Sequence, residues 1–242
     1  APPDGNTIML CPIVVTVLAP MVFSKLPYNP GTDFAPIAQL ATIDFGLAVN
    51  ASHPARNVNE LITWMRANPQ QGNFGTPGAG SLPHFFGVML AKAAGVDLVH
   101  VPFQGGAQSM TALLGNQVTC IFDTMTDLIE QHKAGKARIL ATASTRRNAV
   151  VPEVLTFVEQ GLRDVQGGSW FGLYTHAKAP DASIRATNAA INKALQMADV
   201  RDRLAKMGMD ATGGSPEDLA AYMKRDTERW GPVVKASGFR AD

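Results

Sequence analysis

Only two cysteines occur in this sequence, Cys11 and Cys120, far apart and in no metal-ligand spacing. They give no motif for a thiolate metal site and say little about compartment. Excess charge of one sign is also missing. Twenty-one Lys and Arg stand against 20 Asp and Glu, a formal net charge of +1. Bulk charge therefore argues for neither nucleic acid nor an acidic membrane as partner. The only adjacent pair of arginines, Arg146-Arg147, reads as part of a solvated loop. No apolar run free of charge or Pro reaches membrane-spanning length. No signal peptide is visible, although the abrupt start fits removal of one. A phosphate-binding P-loop is excluded, because Gly80 is followed by Ser81 and not Lys. A dinucleotide fingerprint is excluded too, because Pro83 stands where its third Gly would be. There is no G-x-S-x-G elbow.

What the chain does have is length and pattern. Its 242 residues are 46% hydrophobic and 17% charged, enough for one large or two small cores. The stretch Asn73-Phe74-Gly75-Thr76-Pro77-Gly78-Ala79-Gly80-Ser81-Leu82-Pro83-His84-Phe85 organises the rest. It reads as the end of a strand, a glycine-rich turn and the first turn of a helix. Ser81 is placed to cap that helix, and Pro83 falls in the first turn, where a missing N–H costs nothing. Leu82, Phe85, Phe86, Met89, Leu90 and Ala93 then line one helical face up to Gly95. A helix start with unpaired N–H groups and a positive dipole end is a natural anion site. Plain corner-making explains such a turn equally well.

Along the chain, strands are expected at 7–10, within 34–50 with a break near Asp44, and at 96–101, 118–122, 138–143 and 170–175. Residues 13–17 stay ambiguous between strand and helix, and 25–33 read as a loop. Helices are expected after Asn57, whose capping box with Glu60 opens one, and at 107–114, after Thr124, and at 152–160, 181–197, 200–207 and 216–230. Alternating strands and helices predict an α/β fold with a mostly parallel sheet covered on both faces. Ligands then sit beyond the carboxyl ends of the strands. Four loops qualify: 75–81, 103–106, 123–124 and 144–145. The first three hold no Arg or Lys, so an anion there must rely on backbone N–H groups, hydroxyls, helix ends and water.

Several fragments carry a resemblance through nearly the whole chain. They include Leu26-Pro27-Tyr28 with Asp33-Phe34-Ala35-Pro36, then Gly75-Thr76-Pro77-Gly78-Ala79-Gly80-Ser81 with His84-Phe85. Val99-His100-Val101-Pro102-Phe103-Gln104-Gly105-Gly106-Ala107 follows, then Phe122-Asp123, Trp170-Phe171-Gly172-Leu173 and Arg229-Trp230. In that order they resemble the solute-binding proteins of tripartite tricarboxylate transporters, the Bug family of periplasmic receptors. The resemblance implies a two-lobed, type II periplasmic-binding-protein-like Venus flytrap. Its lobes would be 1–45 plus 170–242, and 46–169. It also implies a small carboxylate held between the lobes, delivery to a membrane permease, a periplasmic location, a monomer, and no cofactor, nucleic acid or metal. Family members begin with a strand, a Pro- and Gly-rich loop and a helix before the point where this sequence starts. That βα segment, roughly 30 residues or more, is thus expected to be missing from the first lobe.

The ligand-binding candidates are Thr76, Pro77, Gly78, Gly80, Ser81, His84, Gly105, Asp123 and Thr124, with Phe45 and Trp170 near the crossovers. Each has a plainer reading. Ser81 would serve as a cap alone, His84 as a structural hydrogen-bonder, and Phe45 and Trp170 as core. Asp123 would repel an anion unless it meets an amine, a hydroxyl, a water or a loop N–H. A sensor subunit would use the same fold. A hydrolase would use Ser81, His84 and Asp123, but a spacing of three near a helix start does not aim the imidazole at the hydroxyl.

Overall fold

The computed structural model describes residues 1–241. It divides into two compact units, one made of Ala1–Ile43 and the chain from Ser169 onward, the other of Asp44–Gly168.

The first unit is built on a four-stranded sheet in the order β1-β8-β2-β9, antiparallel at every pairing. Its strands are β1 (Met9–Pro12), β2 (Phe34–Ile43), β8 (Ser169–His176) and β9 (Met209–Ala211). The ambiguous apolar run resolves into one π-helical turn, Val14–Leu18, continued by a short α1 (Ala19–Val22). Within the stretch read as a loop, Asn29 caps a single turn, α2 (Pro30–Asp33), by accepting from Gly31 N–H. The long helices are α7 (Asp181–Leu195), α8 (Ala198–Lys206) and α9 (Pro216–Ser237). Helix α9 opens with a full capping box. Ser215 Oγ accepts from Asp218 N–H, and the Asp218 carboxylate accepts from Ser215 N–H. Trp230 and Leu219 on α9 are fully buried, while Ile184 and Ile191 of α7 pack on Ile37 and Leu173 of the sheet.

The second unit holds a five-stranded sheet in the order β5-β4-β6-β3-β7. The strands are β3 (Phe45–Asn50), β4 (Asn73–Thr76), β5 (Val99–Pro102), β6 (Cys120–Thr124) and β7 (Ala137–Thr142). Its helices are α3 (Val58–Ala67), α4 (Leu82–Ala94), α5 (Gly106–Leu114) and α6 (Met125–Lys133). The expectation of a mostly parallel sheet needs correction. β4 runs parallel to β5 and β6, but β3 is antiparallel to both β6 and β7, and the described strands of the first unit pair antiparallel. Hydrophobic pattern reports which face a strand buries and is silent on its direction. Helix α4 covers one face of this sheet. Phe86 stacks on Phe122, and Phe74 meets Phe122 edge-on. Burying each such ring is worth roughly 1.5–3 kcal/mol. The fit is close enough to require Gly87, where a Cβ would come 2.0 Å from the Phe74 ring. Helices α5 and α6 cover the other face, with Met110, Leu113, Ile121, Met125 and Leu128 in one cluster.

Residues 152–160 are not the helix that their apolar spacing predicts. They form turns docked on β7, where Thr142 N–H donates to Leu155 and Phe157 N–H donates to Thr142. Backbone donors committed to a sheet edge cannot close helical turns. Among the described residues, no helix is long and apolar enough to cross a membrane.

Candidate functional site

Register decides which residues meet. Thr76 at the end of β4 lies opposite Pro102 at the end of β5. Thr124 at the end of β6 lies opposite Phe45, and Thr142 at the end of β7 lies opposite Gly46. The carboxyl ends of β4, β5, β6 and β7 therefore lie on one edge of the second unit's sheet, with the start of β3 among them. Ten of the sequence candidates sit on this edge or in the loops and helix start beyond it: Thr76, Pro77, Gly78, Gly80, Ser81, His84, Gly105, Asp123, Thr124 and Phe45. Trp170 belongs to the other unit. There it is buried, and its indole N–H donates to Asp226 at 2.6 Å.

The first two loops are pinned together by backbone bonds. Phe103 N–H donates to Thr76, and Gly105 N–H donates to Pro77. Gly105 has φ +108°, open to glycine and strained for other residues, and it precedes α5 without offering a side-chain cap. At α4 the cap is present: Ser81 Oγ accepts from His84 N–H and donates its own proton to the Gly78 carbonyl at 2.6 Å. That proton is not directed at an imidazole, as a serine nucleophile would need. Among the described residues, the backbone N–H groups of Gly78, Ala79 and Ser81 have no protein partner, and neither do those of Gly106, Ala107 and Gln108. Unsatisfied donors at two helix starts make one edge suited to an anion.

His84 is a structural group in this arrangement. Its Nδ1 accepts from Gly80 N–H at 3.2 Å, and its ring stacks on His100 with centroids 3.9 Å apart and planes within 9°. Burial lowers the His84 pKa. Burial, then the charge of His84, lowers that of His100 to about 4. His100 was not singled out by sequence pattern. It lies on β5 within 2.7 Å of Thr76 Oγ1, and so holds the first loop from behind. Its only sequence signal is a His on the inward side of a short strand next to the glycine-rich turn.

Asp123 is 1% exposed. Its Oδ1 accepts from Thr124 N–H at 2.8 Å, and its Oδ2 lies 2.9 Å from Ser109 Oγ. Burial is the main reason its pKa rises to about 6, with the Asp127 charge adding to it and the two hydrogen bonds opposing it. Thr124 Oγ1 caps α6 at Asp127 N–H. Phe45 is core, its ring 5.6 Å from that of Phe86, and its carbonyl accepts from Ala143 N–H. On the fourth loop, Thr142 Oγ1 and Ser144 Oγ lie 2.6 Å apart. Arg147 is tied to Glu159 through Nε and Nη2. A separate cavity of about 790 Å³ runs along α3 past Trp64, Leu155 and Gln160. Glu60 and Glu159 on its wall would repel an anion, so the loop edge is the better candidate. Among the described residues, no group of three or more His, Cys, Asp or Glu could hold a metal ion.

Two α/β units with a strand-end loop cluster define the class, a two-lobed fold of the periplasmic-binding-protein type. The comparisons agree. A family model described as "Tripartite tricarboxylate transporter family receptor" matches residues 1–239, and the chain belongs to that family. A Pseudomonas sp. relative, the UPF0065 protein in the tcbD-tcbE intergenic region, is 32% identical over 97% of this chain and 70% of its own length. Two solved structures from Rhodopseudomonas palustris are similar. Rpa4515 with adipate has a TM-score of 0.88 at 25% identity, over 99% of this chain and 80% of that one. MatC with bound malate has a TM-score of 0.82 at 30% identity, over 97% and 81%. The matched family is one of receptors.

Proposed function

We propose that this chain is an extracytoplasmic solute receptor that binds a small carboxylate at the loop edge of its second lobe and delivers it, in the periplasm, to the permease of a tripartite tricarboxylate transporter. One observation carries the reading: the unsatisfied N–H groups at the starts of α4 and α5 lie on a single strand-end edge. A carboxylate accepts several such donors at once, and charge-assisted bonds to backbone N–H are about twice as strong as neutral ones. No Lys or Arg lies in the three loops at 75–81, 103–106 and 123–124, so dipoles and hydroxyls do this work. Thr76, Pro77, Gly78, Gly80, Ser81, His84, Gly105, Asp123 and Thr124 shape or contact the ligand in this proposal, while Phe45 and Trp170 are apolar framework. The relatives solved with adipate and with malate support a dicarboxylate among the candidates.

The test is a thermal-shift screen followed by calorimetry, using malate, adipate, tricarboxylates, acidic amino acids and aromatic acids. A ligand at one hundred times its dissociation constant stabilises the protein by about 2.7 kcal/mol, a visible rise in melting temperature. A saturable response to one class supports the reading. Silence across the whole panel overturns it.

A further inference from the structure

The strongest unexplained feature is a proton count beside the proposed site. Ser109 Oγ, on the first turns of α5, lies 2.9 Å from the Gly106 carbonyl and 2.9 Å from Asp123 Oδ2. A serine hydroxyl carries one hydrogen, and a carbonyl and an ionised carboxylate are both acceptors only. The serine cannot donate to both. Both contacts become full two-centre hydrogen bonds when Ser109 donates to Gly106 and Asp123 itself donates to Ser109; the alternative is one hydrogen shared between two acceptors. We propose that Asp123 is held as a neutral carboxylic acid, Oδ2–H donating to Ser109 Oγ, and that this neutral form is what admits an anionic ligand to the start of α5, so that carboxylate binding is coupled to one proton.

The surroundings agree. A Cβ on Gly106 would sit 3.0 Å from Asp127 Oδ2 and 3.1 Å from Asp123 Oδ2, so both carboxyl groups crowd the first residue of α5. Two negative charges there would oppose each other and any incoming anion. Asp127 accepts from Thr124 Oγ1 near the head of α6, whereas Asp123 is enclosed. Helix α5 has no charged residue in Gly106–Leu114, and neither β3, opposite through Gly46, nor β4 carries a titratable group. On α6 the facing group is Asp127; Glu130, His132 and Lys133 lie further along that helix. Helix α4, with His84 and Lys92, packs on the Phe122 face, the opposite side of β6. Burial pushes the Asp123 carboxyl up to about 6, in the same direction.

This resolves why an acid stands among anion-binding loops, and it assigns a ligand class. A neutral Asp123 suits a carboxylate without an amine, whereas an ionised one would suit an amino acid. The inference rests on the carboxylate-receptor reading for its ligand half only. The proton half is tested by NMR on the whole chain carrying carboxyl-13C aspartate, with the Asp123 signal identified by its loss in Asp123→Asn. A midpoint near 6 that falls in Ser109→Ala, because the acceptor of the Asp123 proton is gone, is expected, whereas a midpoint that rises would show Ser109 donating to an ionised carboxylate and overturns the arrangement. A midpoint in the ordinary range of about 3.9, unmoved by Ser109→Ala, overturns it. The ligand half is tested by calorimetry with malate and adipate across that midpoint. Apparent affinity should fall towards tenfold per pH unit above it, because only the protonated fraction binds. Asp123→Asn, which cannot ionise, should flatten that slope. A slope that survives in Asp123→Asn, or affinity that rises with pH, overturns the coupling. Failure of both ligands and of the wider panel at every pH overturns the receptor reading and the ligand half with it, while the NMR midpoint still decides the proton half.

Discussion

Helices α4 and α5 start on the same sheet edge, yet their entrances are built differently. The entrance to α4 is braced by side chains, although the N–H groups of Gly78, Ala79 and Ser81 keep no protein partner. Ser81 caps it, Gly80 N–H is taken by His84, and His84 leans on His100 and the Phe74 ring. The entrance to α5 has a glycine in place of a cap, three backbone donors without protein partners, and a buried acid one turn away. The loop whose glycines stand out most in the sequence is thus the more rigid one. The quieter Gly105-Gly106 turn offers as many open donors with no side-chain cap competing for them. Glycine spacing marks where backbone can be approached, and capping chemistry then decides whether anything is left for a partner to bind.

The largest expected effect breaks the α4 side alone. Gly87→Ala places a methyl 2.0 Å from the Phe74 ring, beneath the histidine stack. Overpacking of this kind costs about 1–3 kcal/mol, readable as a lower urea midpoint at constant slope. Gly106→Ala breaks the α5 side. Its methyl meets both Asp123 and Asp127 oxygens at 3.0–3.1 Å. Carboxylate affinity should fall about tenfold or more, roughly 1.4 kcal/mol, while stability changes less because alanine favours helix. Equal losses of affinity in both variants would show that the two entrances act as one unit.

Acid distinguishes the entrances next. His84 and His100 have folded pKa values below the unfolded value of 6.5. The unfolded chain therefore binds more protons, and stability from this pair is complete above 6.5 and lost as pH falls towards about 4. Asp123 works in the opposite sense. Its folded pKa of about 6 lies above its unfolded value of 3.8, so its contribution is complete below 3.8 and lost as pH rises through about 6. Chemical unfolding across this window should show a shallow acid loss in the parent chain. Asp123→Asn should steepen it, because the opposing contribution is gone. A loss that is no steeper in the variant would remove Asp123 from the balance.

Much of the second lobe was legible before the structure. Asn57 and Ser81 were identifiable as caps because capping is local, and the helix ends at Gly95 and Gly115 follow from the same short-range chemistry. The strand-end placement of Asp123 and Thr124 was legible because the mostly apolar run 118–122 ends at a polar pair, and that of Thr76 because a glycine-rich turn follows it. Three things were not. The direction of β3 depends on which strands flank it, and its own residues carry no trace of that. The run at 152–160 has helix-like spacing but finds a sheet edge at Thr142, a tertiary contact that overrides propensity. The His84–His100 stack joins residues 16 apart in sequence through two different elements, and no local pattern announces it.

The smallest effect is the most direct test of the contrast between the two entrances. Read as a ligand donor, Ser81 would lose roughly 1 kcal/mol or more of binding on mutation to alanine. In the structure its proton goes to the Gly78 carbonyl and its lone pair receives His84 N–H. Ser81→Ala should therefore cost about 1 kcal/mol of stability, the usual value of an N-cap, and change carboxylate affinity by less than the Gly106→Ala substitution does. Urea denaturation and calorimetry on the same variant separate the two. If instead stability holds and affinity drops alone, the Ser81 hydroxyl turns to the ligand on binding. The entrance to α4 would then be as open as that of α5, with the Gly78 carbonyl only holding the serine until a ligand arrives.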